Sequence, residues 1–372
     1  MSNTNDPHRI TRRQATRHLL HTHRVEESLQ LGSQPSLRNA TLAGLQAALT
    51  LAVCVPLFAL SPWSHLVGFA ALGALVALFG RFAPPRRRAG IVLQCAFWQV
   101  FAVFAMSSAV WLNWPHAAKL TLLALSCGFY LIVSFRGKFG APGPLIFIFA
   151  VGAAMADNLT LLEVIERTLA TAIAALFAWL VCVASEAWRH TPSAERPFPA
   201  EPDLPRSRLL FMAARVAVAA LIVVFICYAL DLQFPAWAAM GAVAVMQGAH
   251  LHISMHRALQ RMAGTLVGAG LAWVLLIQDP SVWTILMVLV LLQFFTEVVI
   301  GINYAFAQVL VTPMALLMTH LAAPVSMGAA MAPERVVDTL LGAVVGMAIA
   351  VLLSNIEDRR TLARHHKERL QK

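Results

Sequence analysis

Residues 208–230 read RLLFMAARVAVAALIVVFICYAL, and this stretch decides the fold class. After Arg208, the only charged residue in it is Arg215. A helix needs about 20 mostly apolar residues to cross the hydrocarbon core of a bilayer, and this stretch is long enough. The segment therefore predicts a transmembrane helix.

The composition of the whole chain agrees with this prediction. Of its 372 residues, 59% are apolar and 12% are charged, whereas a soluble domain has about 25% charged residues. A soluble fold of this size could not cover so much apolar surface with polar groups. The composition excludes a soluble enzyme, a nucleic-acid-binding domain and a disordered chain. The net charge of +10 is ordinary for a membrane protein with basic cytoplasmic loops.

Further apolar stretches form two series of six, and they predict an all-α polytopic membrane protein with about 12 transmembrane helices. A polar, proline-rich segment separates the two series. The predicted helices lie near 41–60, 65–82, 89–112, 117–135, 140–157 and 164–186, and then near 208–230, 235–250, 261–277, 282–300, 303–321 and 334–354.

These series define the predicted domains. Transmembrane repeat 1 covers 41–187 and transmembrane repeat 2 covers 208–354, with a cytoplasmic linker at 188–207 between them. Basic cytoplasmic tails at 1–40 and 355–372 flank the repeats.

The distribution of positive charge predicts the orientation. In a twelve-span scheme, 24 of the 28 Lys and Arg residues fall in the tails, the linker and the turns on one side, and the turns on the other side hold none. Basic residues collect on cytoplasmic loops. We therefore expect a multi-pass membrane protein with both termini in the cytoplasm.

The two series resemble each other in sequence. Pro62-Trp63 precedes the second helix of the first series, and Pro235-Ala236-Trp237 occupies the matching place in the second. Residues 163–169 (EVIERTL) align with 334–340 (ERVVDTL), which places Arg167 opposite Asp338. We expect two parallel six-helix repeats related by an axis along the membrane normal, with a pathway between them.

The second series also resembles the fusaric acid resistance and aromatic acid exporter family of bacterial inner-membrane proteins, most strongly over residues 208–354. The shared features are Phe234-Pro-Ala-Trp237, an arginine- and glycine-rich stretch at 257–268, Thr312-Pro313, and Arg335-Val-Val-Asp338-Thr339-Leu-Leu-Gly342. The resemblance implies a location in the bacterial inner (plasma) membrane and proton-driven export of aromatic carboxylic acids, often with a periplasmic adaptor protein. Many such exporters carry a sizeable cytosolic domain between their halves, where this chain has the short linker. The duplicated unit is similar, at a greater distance, to plant anion channels of the aluminium-activated malate type.

Three arginines within the predicted helices are candidate substrate-binding residues. Arg215, Arg261 and Arg335 could each present a guanidinium to a substrate carboxylate through paired hydrogen bonds. Arg215 could instead extend to the lipid headgroups. Arg261 stands at the start of a helix whose glycines favour close packing, and Arg335 could instead pair locally with Asp338.

Two sets of ionisable residues are candidates for coupling and gating. Glu297 lies in an apolar helix with no basic residue within four positions, and a carboxyl group in a low dielectric suits a proton carrier. It could instead reach water or bond to Asn303. Glu163 with Arg167, and Arg335 with Asp338, share a helix face. These pairs could open and close a gate, and Arg167 could also pair with Asp338 between the repeats. Alternatively, each local pair could serve only to neutralise its own two charges.

The sequence also narrows the class of protein. The five cysteines stand alone in apolar runs and suit neither a disulfide framework nor a metal site. Walker, GxSxG and HExxH motifs are absent, so we expect no enzymatic activity, no cofactor and no metal. The prediction is a secondary transporter that exports organic anions. A passive anion channel and a non-transporting assembly subunit stay open, as does a homo-oligomer.

Overall fold

A computed structural model describes residues 35–84, 86–156, 158–191, 198, 204–247, 251–322 and 328–354. The predicted tail at 355–372 and most of the predicted tail at 1–40 and of the linker at 188–207 lie outside these residues. The described part of the chain is helical and contains no strand. Its twelve α-helices are α1 (Leu37–Ala59), α2 (Val67–Ala74), α3 (Arg88–Trp111), α4 (His116–Gly137), α5 (Leu145–Ala153), α6 (Leu161–Ala184), α7 (Arg206–Ala229), α8 (Pro235–Met246), α9 (Leu251–Leu276), α10 (Val282–Val299), α11 (Tyr304–Ala322) and α12 (Met331–Leu352).

The predicted helices correspond in order to α1–α12, and three of them have clearly different bounds. The helix expected at 65–82 ends as an α-helix at Ala74, and a 3-10 turn follows it at Leu75–Leu78. The helix expected at 140–157 starts only at Leu145, because Pro142, Gly143 and Pro144 form a turn before it. The helix expected at 261–277 starts at Leu251, because a helix can continue through the polar residues that precede its apolar part.

The structure confirms a polytopic all-α membrane protein. Among the described residues, nine helices are long and apolar enough to cross a membrane. The other three, α2, α5 and α8, are too short for that, so the prediction of twelve complete spans stays a prediction. Every residue of α2 and of α8 is buried. These short helices form the centre of the bundle and pack against protein.

The two halves pack by the same scheme. In the first half, α2 packs against α1 and α6, and α3 packs against α5 and α6. In the second half, α8 packs against α7 and α12, and α9 packs against α11 and α12. Between the halves, α1 contacts α10 as α7 contacts α4, and α2 contacts α11 as α8 contacts α5.

Close helix contacts at two glycines show which residues of the two halves correspond. Gly73 of α2 lies against the backbone carbonyl of Thr171 in α6, and Gly241 of α8 lies against that of Thr339 in α12. A Cβ added at Gly241 would stand 3.3 Å from the Thr339 oxygen, so even a methyl group there would require the neighbouring backbone to shift by a few tenths of an ångström. Gly241 follows Gly73 by 168 positions, and Thr339 follows Thr171 by the same number.

Candidate functional site

Arg335 is the centre of a buried charged cluster in the second half. It lies in the second turn of α12 and is 1% exposed. Its guanidinium carbon stands 5.0 Å from the centre of the Trp237 ring in α8. Trp237 in turn stacks on Phe234, with ring centres 4.3 Å apart and ring planes 17° apart. The arginine therefore rests on an aromatic stack, a contact that the ring quadrupole favours.

The predicted local ion pair between Arg335 and Asp338 is not formed as a direct contact. Asp338 is fully buried, and its Oδ1 accepts from the Cys227 thiol of α7 at 3.8 Å. Its Oδ2, and Nε and Nη1 of Arg335, have no hydrogen-bonding partner among the described residues. The two side chains diverge because Arg335 turns towards α8 and Asp338 towards α7.

Arg261 lies near this cluster. It lies in α9, which packs against α11 and α12. It is 3% exposed and donates from Nη1 to the Tyr304 hydroxyl at 3.2 Å. Its charge acts unfavourably on that of Arg335. Two of the predicted substrate-binding arginines therefore belong to one buried region, and an anion would relieve their repulsion.

Arg215, the third predicted substrate-binding residue, lies elsewhere. Its Nη2 donates to the backbone carbonyl of Ala350 in the last turn of α12 at 3.1 Å. Its guanidinium carbon is 5.6 Å from the Phe211 ring, one turn earlier in α7. This position is near the basic end of the bundle, by which we mean the end at which α2 is followed by α3, α4 by α5, and α10 by α11. The contacts fit the alternative in which Arg215 extends towards the membrane surface.

Glu297 has a basic partner that its sequence neighbours do not reveal. The carboxylate lies in the last turn of α10, and Arg81 Nη1 donates to its Oε2 at 2.6 Å. Both side chains are buried, with exposures of 8% for Arg81 and 4% for Glu297. Arg81 comes from the turn after α2, so this ion pair joins the two halves at the basic end.

The turn that carries Arg81 is held by further buried polar groups. The Arg81 carbonyl accepts from Asn39 Nδ2 and from Arg189 Nη2, both at 3.2 Å. Arg189 also donates to the Ala83 carbonyl at 2.7 Å. Close by, Arg88 donates to the side-chain oxygen of Gln46 at 2.6 Å. From the sequence, Arg81 and Arg88 were predicted in a cytoplasmic turn and Arg189 in the linker. The network was missed because tertiary packing, which no local spacing indicates, brings these side chains together.

The predicted pair of Glu163 and Arg167 is also not a direct contact. Glu163 caps its own helix, because its Oε2 accepts from the backbone N–H of Thr160 at 2.7 Å and from the Thr160 hydroxyl at 2.8 Å. Arg167 instead places its guanidinium carbon 4.9 Å from the centre of the Phe69 ring in α2. Both residues lie at the end of the bundle opposite the basic end.

The contacts match Arg167 with Arg335, not with Asp338 as the sequence alignment had it. Phe69 and Trp237 lie under these arginines and are again 168 positions apart. Two further contacts follow the same spacing. The His65 ring nitrogen lies 3.2 Å from Glu166, and the backbone N–H of Gln233 donates to Glu334. The residue of the first half that corresponds to Asp338 is Ala170, so the first half has no carboxylate at this position.

Metal ligands do not gather in the described part of the chain: no group of three or more His, Cys, Asp or Glu side chains there could hold a metal ion. The five cysteines are all buried and free.

Comparison with known proteins addresses the second half. Residues 220–349 match the family model described as Fusaric acid resistance protein-like. The match confirms the predicted resemblance and includes Trp237, Arg261, Glu297 and Arg335. The chain is also similar to the uncharacterized membrane protein YvaC of Bacillus subtilis (strain 168), with 33% identity over 117 residues. This similarity covers 32% of the present chain and only 18% of YvaC. No solved structure matches the chain.

Proposed function

We propose that this multi-pass membrane protein is a secondary transporter of organic anions. The observation that carries the proposal is the buried pair of cations, Arg261 and Arg335, within helices of apolar composition. A charged side chain costs at least about 2.5–3.5 kcal/mol at the centre of a membrane helix, so buried charges mark transport pathways. The unpartnered N–H groups of Arg335 are suited to a carboxylate, which a guanidinium binds through parallel hydrogen bonds.

Export of aromatic or related toxic acids is the finer form of this proposal. The word resistance in the description of the matching family supports export. The Phe234–Trp237 stack beside Arg335 supports a substrate that combines a carboxylate with a flat apolar body. The distribution of Lys and Arg supports a cytoplasmic basic end, and the similarity to the matching family and to a bacterial membrane protein supports the bacterial inner membrane.

The pathway in this proposal runs between two repeats. The shared packing scheme, and the recurring contacts 168 positions apart, support a duplicated unit with an axis along the membrane normal. Because α2 and α8 lie at the centre and contact the opposite half, relative movement of the halves changes the surroundings of Phe69 and Trp237.

Proton coupling is assigned to Glu297 in this proposal, now together with Arg81. A proton on Glu297 removes the charge that holds Arg81. Because the pair joins the halves, its release weakens their contact at the basic end. A gate made of Glu163, Arg167 and Asp338 at the opposite end requires another conformation, since these residues do not pair directly here.

The test is flux of radiolabelled aromatic carboxylates (benzoate, salicylate and phthalate) in proteoliposomes, corrected for leakage through protein-free liposomes. We expect Arg335→Gln to abolish uphill flux and Arg335→Lys to retain part of it. Arg87→Gln, an exposed arginine at the basic end, is the matched control and should behave as wild type.

The same assay separates the alternatives. Current without a pH gradient would favour the passive channel. Absence of flux for the whole panel, with an unchanged tolerance of deletion cells to these acids, would favour the assembly subunit and overturn the proposal.

A further inference from the structure

The first half repeats the arrangement that surrounds Arg335. Arg167 lies over Phe69 at 4.9 Å, as Arg335 lies over Trp237 at 5.0 Å. In each half, the glutamate just before the arginine binds the segment that leads into the short central helix, through His65 in one and Gln233 in the other. Each of these residues is matched at a constant spacing of 168 positions. The aromatic–arginine unit therefore occurs once in each half.

We propose that Arg167 and Phe69 form a second binding site for organic anions, related to the Arg335–Trp237 site by the symmetry of the two halves. The inference rests on the proposed function, because it assigns to the first half the ligand class proposed for the second. Each chain would then bind two anions.

The chemistry of Arg167 supports a ligand. Its guanidinium makes no hydrogen bond or direct ion pair with any residue that the structure describes. Its neighbour along the helix, Glu163, has a carboxylate engaged with Thr160 instead. An arginine placed over an aromatic ring is held through the face of its guanidinium, while its N–H donors project from the edge. Those donors are what a carboxylate binds.

The two sites differ in the exposure of the arginine and in one neighbouring residue. Arg167 is only partly buried, whereas Arg335 is 1% exposed. Ala170 stands where the second half has the buried Asp338. The first site is therefore more accessible to water than the second, and it has no carboxylate one turn away on the following side.

The experiment is equilibrium binding of radiolabelled benzoate to the purified full chain in detergent, read as anions bound per chain. We expect two for wild type, one for Arg167→Gln, one for Arg335→Gln and none for the double variant. Arg136→Gln, which changes an exposed arginine at the basic end, should keep both. The folding of each variant is checked by its thermal unfolding.

A second variant tests the aromatic partner without removing the charge. Phe69→Leu keeps an apolar side chain and should weaken only the first site, by about two- to fivefold, since a cation–π contact at a partly exposed site is worth that much. Arg167→Lys should restore part of the binding that Arg167→Gln loses.

The outcomes separate this inference from the proposed function. One anion per wild-type chain, lost in Arg335→Gln and kept in Arg167→Gln, would overturn the second site and leave the proposed function intact. Two anions per chain in Arg167→Gln would overturn it as well. A wild-type chain that binds no benzoate would contradict both.

Discussion

Arg81 and Glu297 form a buried ion pair between residues 216 positions apart, with 2.6 Å between Nη1 and Oε2. One partner belongs to the turn after α2 and the other to the end of α10, so the pair links the halves at the basic end. Burying two charges is favourable only when each has its partner, and removing one partner leaves the other charge uncompensated.

Removing Arg81 should therefore destabilise the fold. We expect Arg81→Met to lower the free energy of unfolding by about 3–5 kcal/mol, and the double variant Arg81→Met/Glu297→Gln to recover most of that loss. The measurement is unfolding of the purified protein in mixed detergents, with Arg87→Met as the control in the same turn. Equal stability of Arg81→Met and wild type would show that the pair does not hold the halves together.

Glu297→Gln tests proton coupling itself. The amide cannot take up a proton, so we expect uphill flux driven by a pH gradient to be lost while exchange of labelled for unlabelled substrate continues. The measurement compares both modes in the same proteoliposomes. A variant that still drives uphill flux at the wild-type rate would rule out Glu297 as the coupling residue.

Adding one methyl group at Gly342 should disturb the packing of the helices, whereas adding one at Gly270 should not. A Cβ at Gly342 would meet the backbone of Ala238 in α8, whereas nothing lies within 4 Å of one at Gly270. We expect Gly342→Ala to destabilise the protein by about 1–3 kcal/mol and Gly270→Ala to be neutral or stabilising by up to about 1 kcal/mol. Thermal unfolding of the two variants provides the comparison, and similar melting temperatures would contradict the close contact of α8 and α12.

Asp338 should weaken anion binding at Arg335, because a second negative charge close by opposes the ligand. Asp338→Asn removes that charge with little change of volume, and we expect tighter benzoate binding at the Arg335 site by an amount on the order of 1 kcal/mol. The control is Asp279→Asn, the same substitution at an exposed aspartate between α9 and α10. Weaker binding in Asp338→Asn would mean that the carboxylate orients the site instead.

The proposed orientation predicts the side of the linker. A reporter enzyme inserted in the linker near residue 200 should be active only in the cytoplasm. Periplasmic activity would require an odd number of spans before the linker and would remove the parallel relation of the halves.

The sequence predicted the helices well because their apolar stretches are long and are separated by proline, glycine and charged residues. Hydropathy alone could not distinguish a helix that spans the membrane from one enclosed by protein. For this reason α2, α5 and α8 were expected to be complete spans, and the structure shows them to be short.

Side-chain partners were less predictable. Arg81 and Glu297 meet through tertiary packing, and no local spacing indicates it. Arg335 and Asp338 share a helix face but turn to different neighbours, because Trp237 and Cys227 come from different helices. The alignment of residues 163–169 with 334–340 was shifted, since the short motif fits several registers and only the contacts of Gly73 and Gly241 select one.

The enclosed position of α8 has a consequence for the lipid dependence of the protein. Every residue of α8 is buried, so this helix has no boundary with acyl chains, and the longer helices around it must adapt to bilayer thickness. Trp237 is thus shielded from hydrophobic mismatch. Ligand affinity at Arg335 should stay constant in vesicles made from short-chain and long-chain phospholipids, even where the rate of turnover changes.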